Sequence, residues 1–280
     1  MNIGIIGQGF VGNAVYQKFK NYYNVLTFDL QVKLCNSTIE EINENCDIIF
    51  VCLPTPMAKD GKCHIGIVEE VLNDLELRTS FDQKDKIVVV KSTIPPGTTK
   101  KWDNEYKFLN IVFSPEFLTE ANAVSDFENQ NRIILGGNKK YTTKLKPIFA
   151  KVFPKAHIIK TGSSHAEMVK YVTNAFLATK VSFANEMYEI CEKLDIDYDK
   201  VIEYVLHDER LGKSHWAVPG PDGDFGYGGH CFPKDVKALI QVAMELDSDV
   251  NPIMLKATDE KNNQVRKNKD WLDMKGRAIV

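Results

Sequence analysis

Short apolar runs and helix-length stretches alternate through the first half of the chain. The runs are Asn2–Ile6, Val25–Leu30, Asp47–Leu53, Lys86–Lys91, Asn110–Phe113 and Arg132–Leu135. Stretches with helical character lie between several of them, for example Gly12–Tyr22 and Ile67–Leu77. Such alternation predicts βαβ units and a parallel sheet. A last strand-like run, His157–Lys160, precedes a change of character. From Ser164 onward the pattern is mostly helical, with a long stretch to about Leu194 and a second over Tyr198–Val205. A turn-rich loop, Asp208–Gly229, follows, and then helices over Pro233–Leu246 and Ile253–Lys267. The boundary falls near Gly162–Ser164. The expected architecture is therefore a doubly wound α/β domain over residues 1–162, followed by a helical domain over 163–280.

Composition narrows the class. A chain of 280 residues is natural for two domains. Net charge is −3, with Lys and Arg scattered, which argues against nucleic acid or an anionic membrane surface as the main partner. No apolar run reaches bilayer length. The strand pattern begins at Asn2, which leaves no room for a signal peptide. Cysteines stand at 35, 46, 52, 63, 191 and 231 without C-x-x-C spacing, and the histidines form no H-x-x-x-H pair. The thiols read as reduced, in a cytoplasmic protein, and no metal is expected.

The first strand runs into Gly7-Gln8-Gly9-Phe10-Val11-Gly12, with helix-like residues after it. A strand before and a helix after make this G-x-G-x-x-G a dinucleotide fingerprint. Gly7 permits the tight turn, Gly9 lets a pyrophosphate approach, and Gly12 allows close packing of helix on sheet. Asp29, at the end of the second strand, can accept both ribose hydroxyls and would repel a 2′-phosphate. NAD is thus favoured over NADP. Three further strand ends carry Leu53-Pro54-Thr55-Pro56, Lys91-Ser92-Thr93-Ile94-Pro95 and Ser114-Pro115-Glu116-Phe117-Leu118. Ligands of open α/β sheets bind at such ends, although polar residues before prolines are also common turn chemistry.

Gly228-Gly229-His230-Cys231-Phe232-Pro233-Lys234-Asp235 carries the candidate nucleophile. The glycines let backbone pass close to a ligand. Pro233 suits the first position of a helix, which puts Cys231 next to a helix N-terminus. A thiol there titrates roughly 1–5 units below its free value of about 8.5. Asp235 would sit in the first helical turn. On the long helix, Lys170 and Asn174 are i and i+4 and share a face. Together they could hold a substrate oxygen and stabilise developing negative charge.

GQGFVG (7–12), VVVKSTIPPGT (88–98), SPEFLTEANA (114–123), EMVKYVTNAFLATKVSFANE (167–186), DERLG (208–212) and FGYGGHCFPKD (225–235) run in order through nearly the whole chain. On these segments the sequence resembles the nucleotide-sugar 6-dehydrogenases, the family of UDP-glucose 6-dehydrogenase. The resemblance implies an N-terminal Rossmann domain, a helical central domain that dimerises through the long helix, and a role in polysaccharide biosynthesis. It makes Cys231 the nucleophile of a four-electron oxidation of a C6 alcohol, by way of a thiohemiacetal and a thioester. Lys170, Asn174 and Asp235 would bind substrate and water around Cys231. Thr93 and Glu116 would lie near the reacting carbon, with Glu116 the acid–base candidate. The implied cofactor-binding set is Gly7, Gly9, Phe10, Val11, Gly12, Asp29, Pro54, Thr55, Ser92, Thr93, Glu120 and Lys234. The implied substrate-binding set is Glu116, Phe117, Leu118, Lys170, Asn174, Arg210, Phe225, Gly226, Tyr227 and Gly228, with Arg210 reaching a neighbouring subunit's sugar.

Two features depart from the family pattern. The loop Val218–Asp224 is longer than usual, and His230 stands where a small residue is common. The family also continues into a second Rossmann-like domain, whose first strand would begin where this sequence ends, at Gly276–Val280. Two other readings stay open. A two-electron β-hydroxyacid dehydrogenase would share the Lys–Asn pair and need no cysteine. A non-catalytic NAD-binding subunit would keep the fold and the NAD site and serve as a partner or sensor.

Overall fold

A computed structural model describes residues 1–80, 85–246 and 249–280. The chain divides into two compact units: Met1–Thr55 with Ile65–Lys170, and Pro56–His64 with Tyr171–Val280.

The first unit is a seven-stranded sheet. Its strands are β1 (Asn2–Ile6), β2 (Asn24–Phe28), β3 (Ile48–Val51), β4 (Ile87–Val90), β5 (Asn110–Phe113), β6 (Arg132–Gly136) and β7 (His157–Thr161), in the order β2-β1-β3-β4-β5-β6-β7. The pairs from β2 to β5 are parallel. β6 meets β5 antiparallel at Phe113 and Gly136, and β7 runs parallel to β6. Apolar runs alone carry no strand direction, so this reversal refines the parallel sheet the sequence predicts.

Successive residues of the central strands point to opposite faces, and both faces are covered. Ile3, Ile5, Ile48, Phe50 and Val89 pack on one face with Val15 and Phe19 of α1 (Phe10–Phe19) and Phe149 of α6 (Lys139–Val152). Phe19 makes edge contacts with Phe50 at 5.1 Å and Phe149 at 5.6 Å. Ile6, Ile49, Val51, Val88 and Val90 pack on the other face. There they meet Ile42 of α2 (Ile39–Asn45), Leu72 of α3 (Gly66–Arg78) and Trp102 of α4 (Thr98–Glu105). Burial on both faces is why these strands read as continuous apolar runs rather than alternating ones. α5 (Ala123–Glu128) precedes β6.

α7 (Ser163–Lys193) starts at the boundary the sequence predicts, but the compact units part further along it, between Lys170 and Tyr171. Its first turns make their side-chain bonds within the sheet unit, as described below. The rest of α7 joins α8 (Tyr198–Val205), α9 (Cys231–Glu245) and α10 (Ile253–Val265) in the second unit. Tyr198, Trp216 and Val218 pack with Ala184 and Cys191 there, and Tyr171 and Ala175 pack with Ala238 and Leu239. Residues 56–64 are also counted with this unit. Met57 donates its N–H to the Ala278 carbonyl (2.8 Å) and accepts from the Val280 N–H (3.0 Å). No helix among the described residues is long and apolar enough to cross a membrane.

α9 starts two residues before the predicted Pro233. His230 is its N-cap and Cys231 its first residue, so Pro233 is the third helical residue and Asp235 falls beyond the first turn. Proline tolerates this position because the first-turn N–H groups have no intrahelical acceptor. Asp235 therefore owes its place to side-chain partners rather than to capping.

Candidate functional site: a glycine-lined turn and a cysteine at a helix start

In the sheet unit, strand order reverses between β1 and β3, and open α/β sheets bind ligands at the carboxyl ends of such strands. The Gly7–Gly12 turn lies there. Gly7 has φ +92°, and a Cβ on it would lie 2.4 Å from the Cys52 carbonyl oxygen. A Cβ on Gly12 would fall 1.8 Å from the Gly7 carbonyl oxygen. Both positions exclude a side chain against backbone that cannot yield. Gly9, the N-cap of α1, differs: a Cβ there would meet nothing within 4 Å. Two glycines close the turn and the third leaves open space at the amide end of a helix, which suits a phosphate. Asp29 follows β2. Its Oδ2 accepts the Gln8 N–H at 2.7 Å and its Oδ1 accepts the Gln31 N–H at 2.8 Å. Each oxygen keeps a lone pair for a hydroxyl donor. These residues fit a dinucleotide with free ribose hydroxyls.

The next strand ends are sewn together. The Leu53 N–H donates to Ser92 Oγ at 2.9 Å, and Thr55 Oγ1 donates to the Thr93 carbonyl at 2.8 Å. Thr55, Ser92 and Thr93 are buried, while Pro54, Phe10 and Glu120 are exposed and Val11 is half-buried.

Glu116 and Lys170 form a buried ion pair. Lys170 Nζ lies 2.8 Å from Glu116 Oε1 and 2.7 Å from the Glu116 carbonyl oxygen. Glu116 Oε2 accepts the Leu118 N–H at 2.7 Å, and the ammonium stands over the Phe117 ring at 5.7 Å. Burial alone would push the Glu116 carboxyl up. Lys170, the Leu118 amide and Lys91 outweigh it and hold the group below its usual range.

Two residues that sequence reasoning did not single out support this pair. Lys91 is buried and donates to the Pro115 carbonyl (3.2 Å) and Ser114 Oγ (3.3 Å). Burial lowers its ammonium to about 8, against the opposing pull of Cys52 and Glu116. Glu167, fully buried, accepts the Gly97 N–H at 2.6 Å and the Thr99 N–H at 2.8 Å, so it caps α4 from α7. Its signal was present as a charged residue three positions before Lys170 on the same helix. Nothing local marks Lys91. Cys52, next to Lys91, is pushed up to about 12 by burial and stays a thiol.

In the second unit, Cys231 is half-buried at the start of α9. Asp235, one turn on, accepts from Asn174 Nδ2 at 2.6 Å and pairs with Lys234. Burial pulls the Lys234 ammonium down, but Asp235, with the Cys63 and Cys231 thiols near it, more than offsets this and raises it overall. Asn174 and Asp235, predicted for one site, thus touch. The approach to Cys231 is held by side chains: the Gly226 N–H donates to Asn185 Oδ1 at 3.0 Å, and the Tyr227 N–H donates to Asn262 Oδ1 at 2.7 Å. Arg210 lies in a short 3-10 turn, largely exposed, with its guanidinium on Asp208.

Residues 23–153 match the UDP-glucose/GDP-mannose dehydrogenase family, NAD binding domain, and residues 164–264 match that family's central domain. A UDP-glucose 6-dehydrogenase of Rickettsia typhi is 30% identical over 100% of this chain and 72% of its own length. UDP-glucose 6-dehydrogenase AglM of Haloferax volcanii is 31% identical over 87% of this chain, which spans 65% of that relative. YwqF of Bacillus subtilis, also a UDP-glucose 6-dehydrogenase, is 35% identical over 78% of this chain and 48% of its own length. This chain thus spans about half to two thirds of the last two. Among solved structures, a UDP-glucose dehydrogenase of Pyrobaculum islandicum superposes with TM-score 0.81 at 26% identity, over 94% of this chain and 68% of its own. A 3-hydroxyisobutyrate dehydrogenase of Mycobacterium tuberculosis, at TM-score 0.74 and 16% identity over 94% of this chain and 93% of its own, shares the fold.

Two outcomes follow from this geometry. NAD should bind at least about tenfold more tightly than NADP, a difference of ~1.4 kcal/mol, and Asp29→Asn should narrow that gap; calorimetric titration with both dinucleotides reads it. Glu116→Gln and Lys170→Met should each cost about 3–5 kcal/mol, because each strands a buried partner. The double variant should cost less than their sum in denaturant unfolding. Because the Glu116 carboxyl is held low, its stabilisation is full above the ordinary carboxylate range and is lost as pH falls through the lower folded value. The difference between wild type and Glu116→Gln should therefore shrink in acid.

Proposed function

This chain belongs to the UDP-glucose/GDP-mannose dehydrogenase family, and we propose that it oxidises the C6 alcohol of a nucleotide sugar of the UDP-glucose type to the carboxylate, through a thioester on Cys231. The observation that carries this reading is a half-buried cysteine as the first residue of a helix, one turn before a buried carboxylate hydrogen-bonded to Asn174.

NAD would be held by Gly7, Gly9, Gly12 and Asp29 and would supply the hydride acceptor. The other steps belong to this chain's own residues. The first oxidation removes a hydride from C6 and a proton from its hydroxyl, leaving an aldehyde. The Cys231 thiolate adds to the aldehyde carbon to give a thiohemiacetal, so the reactive carbonyl does not escape. Removal of a second hydride from C6 and of the proton from the thiohemiacetal hydroxyl leaves a thioester. Water then attacks the acyl carbon, the C–S bond breaks, and the carboxylate and thiolate part. In balance, two hydrides leave the sugar, one water enters and three protons are released.

Helix amides around Cys231 favour the thiolate. The Lys170 ammonium and the Asn174 amide supply hydrogen-bond donors for an oxyanion. Glu116, ionised at neutral pH in its pair with Lys170, is the base proposed to take a proton from the hydroxyl or the attacking water. Asp235 orients Asn174 and that water. Thr93 is proposed to lie near the reacting carbon. Phe117, Leu118 and the Phe225–Gly228 loop are proposed to bind the sugar, and Glu120 and Lys234 to serve the cofactor.

Homodimerisation through α7 is part of the same proposal. Val172, Phe176, Phe183, Ile190 and Leu194 recur at spacings of four and seven residues, and all are exposed. Phe176 reaches 66% exposure, unusual for an aromatic with no partner surface. Arg210 would then meet the substrate of the neighbouring copy.

The wild type should release two NADH per sugar oxidised. Cys231→Ala should abolish acid formation, leaving at most slow aldehyde formation with one NADH per sugar. Absorbance at the NADH band together with product mass reads both. One NADH per sugar in the wild type, with Cys231→Ala at full rate, would support the two-electron reading instead. Phe176→Glu should convert a dimer to a monomer by light scattering.

A further inference from the structure

Two glycines, Gly228 and Gly229, precede His230, the N-cap of the helix that begins at Cys231. Gly229 has φ +69°, and so has Gly226 three residues earlier. Glycine loses more freedom on ordering than any other residue, so a Gly228–Gly229 dipeptide leaves the start of α9 loosely defined unless something outside the loop fixes it. Arg266, the C-cap of α10, does so. Its side chain is 2% exposed. Its Nη1 lies 2.7 Å from Asp222 Oδ2, an ion-pair contact without hydrogen-bond geometry, its Nη2 donates to Asp270 Oδ1 at 3.2 Å, and its Nε donates to the Asn268 carbonyl at 2.7 Å. Asp270 also accepts the Gly229 N–H, at 3.0 Å to Oδ2. Asp224 accepts the Asn268 N–H at 2.9 Å. A Cβ on Gly228 would fall 2.2 Å from Arg266 Nη2 and 2.5 Å from Asp270 Oδ1, so the backbone of Gly228 lies directly against this pair.

We infer that Arg266 is a positioning residue: through Asp270 and by direct packing on Gly228, it fixes the Gly228–Gly229 dipeptide and thereby the start of α9 at Cys231. The inference rests on the reading of Cys231 as the nucleophile. A buried guanidinium facing Asp222, Asp224 and Asp270 is more than the loop needs merely to pack, since an apolar side chain of similar volume would fill the space without burying a charge. A forked, planar cation instead ties two stretches of the loop, Asp222–Asp224 and Gly228–Gly229, to one point. Misplacing a nucleophile by a fraction of an ångström lowers turnover by roughly tenfold to a hundredfold without removing any reacting group.

The test compares full-length wild type, Arg266→Met, Arg266→Lys and Asp270→Asn by three readouts. Hydrogen exchange over residues 226–230 should speed up about tenfold or more in Arg266→Met, while residues 238–243 of α9 and the affinity for NAD stay as in wild type. The rate of Cys231 carbamidomethylation by iodoacetamide, read by peptide mass, should stay equal or rise. The kcat with UDP-glucose should nevertheless fall about tenfold or more, with the KM for NAD unchanged. Arg266→Lys, which keeps the charge without the fork, should fall between. Should Arg266→Met not fold, Asp270→Asn carries the same three expectations. Unchanged exchange at 226–230, or a kcat equal to that of wild type, would overturn the assignment; so would parallel losses of kcat, alkylation and NAD affinity, the mark of general destabilisation. If the wild type oxidises no sugar, the catalytic reading fails, and the exchange measurement still decides whether Arg266 holds the loop.

Discussion

An ammonium group taken out of water must find an anion and acceptor oxygens, or it will not stay charged. Lys170 meets that demand with the Glu116 carboxylate and the Glu116 carbonyl, both within 2.8 Å. One turn earlier on α7, Glu167 reverses the signs and caps α4 with both carboxylate oxygens. The first turns of α7 are thereby tied to the loops that leave β4 and β5, the loops that carry Thr93 and Glu116. Lys91 completes the arrangement from β4 by holding the Pro115 carbonyl. With two cations around one buried carboxylate, the cluster keeps an excess of positive charge. An oxyanion formed within its reach would be stabilised without any rearrangement, which is the property proposed for the reacting region.

The cofactor turn and the thiol loop both depend on glycine, for different reasons. Gly7 and Gly12 are needed because backbone oxygens occupy the space of a side chain. Gly9 is needed because nothing occupies it. At Gly228 the excluded neighbour is a side-chain pair, Arg266 with Asp270. The first turn is closed by backbone contacts and by the Asp29 carboxylate on the Gln8 N–H, whereas the second is held by side chains at the end of α10 and beyond it. That difference explains why the same residue type in two places leads to two kinds of test.

The sheet was legible because its central strands, such as β3 and β4, are continuous apolar runs between turn residues, and Gly7–Gly12 was legible because its spacing follows from how a helix meets a strand. Lys170, Asn174, Cys231 and Asp235 were singled out through helical spacing and a glycine-rich context, and the structure bonds Asn174 to Asp235 and Lys170 to Glu116. The antiparallel turn into β6, the excursion of residues 56–64 into the second unit and the start of α9 at Cys231 were not legible. Each depends on partners distant in sequence: Gly136 opposite Phe113, Ala278 opposite Met57, Asp270 beneath Gly229. Arg266 escaped for the same reason. An arginine at the end of a polar helix looks solvated, and only the fold adds Asp222 and Asp224 to its local partner Asp270.

The central claim is that Cys231 carries the substrate's carbon as an acyl group during turnover. Acid quenching of the wild type turning over UDP-glucose with NAD, followed by mass analysis of the peptide that contains Cys231, tests it most directly. The expected result is a sugar-acyl increment on Cys231 and on no other residue, absent when NAD is withheld. Many turnovers of NADH formation with the Cys231 peptide unmodified, matched in rate by Cys231→Ala, would contradict the account.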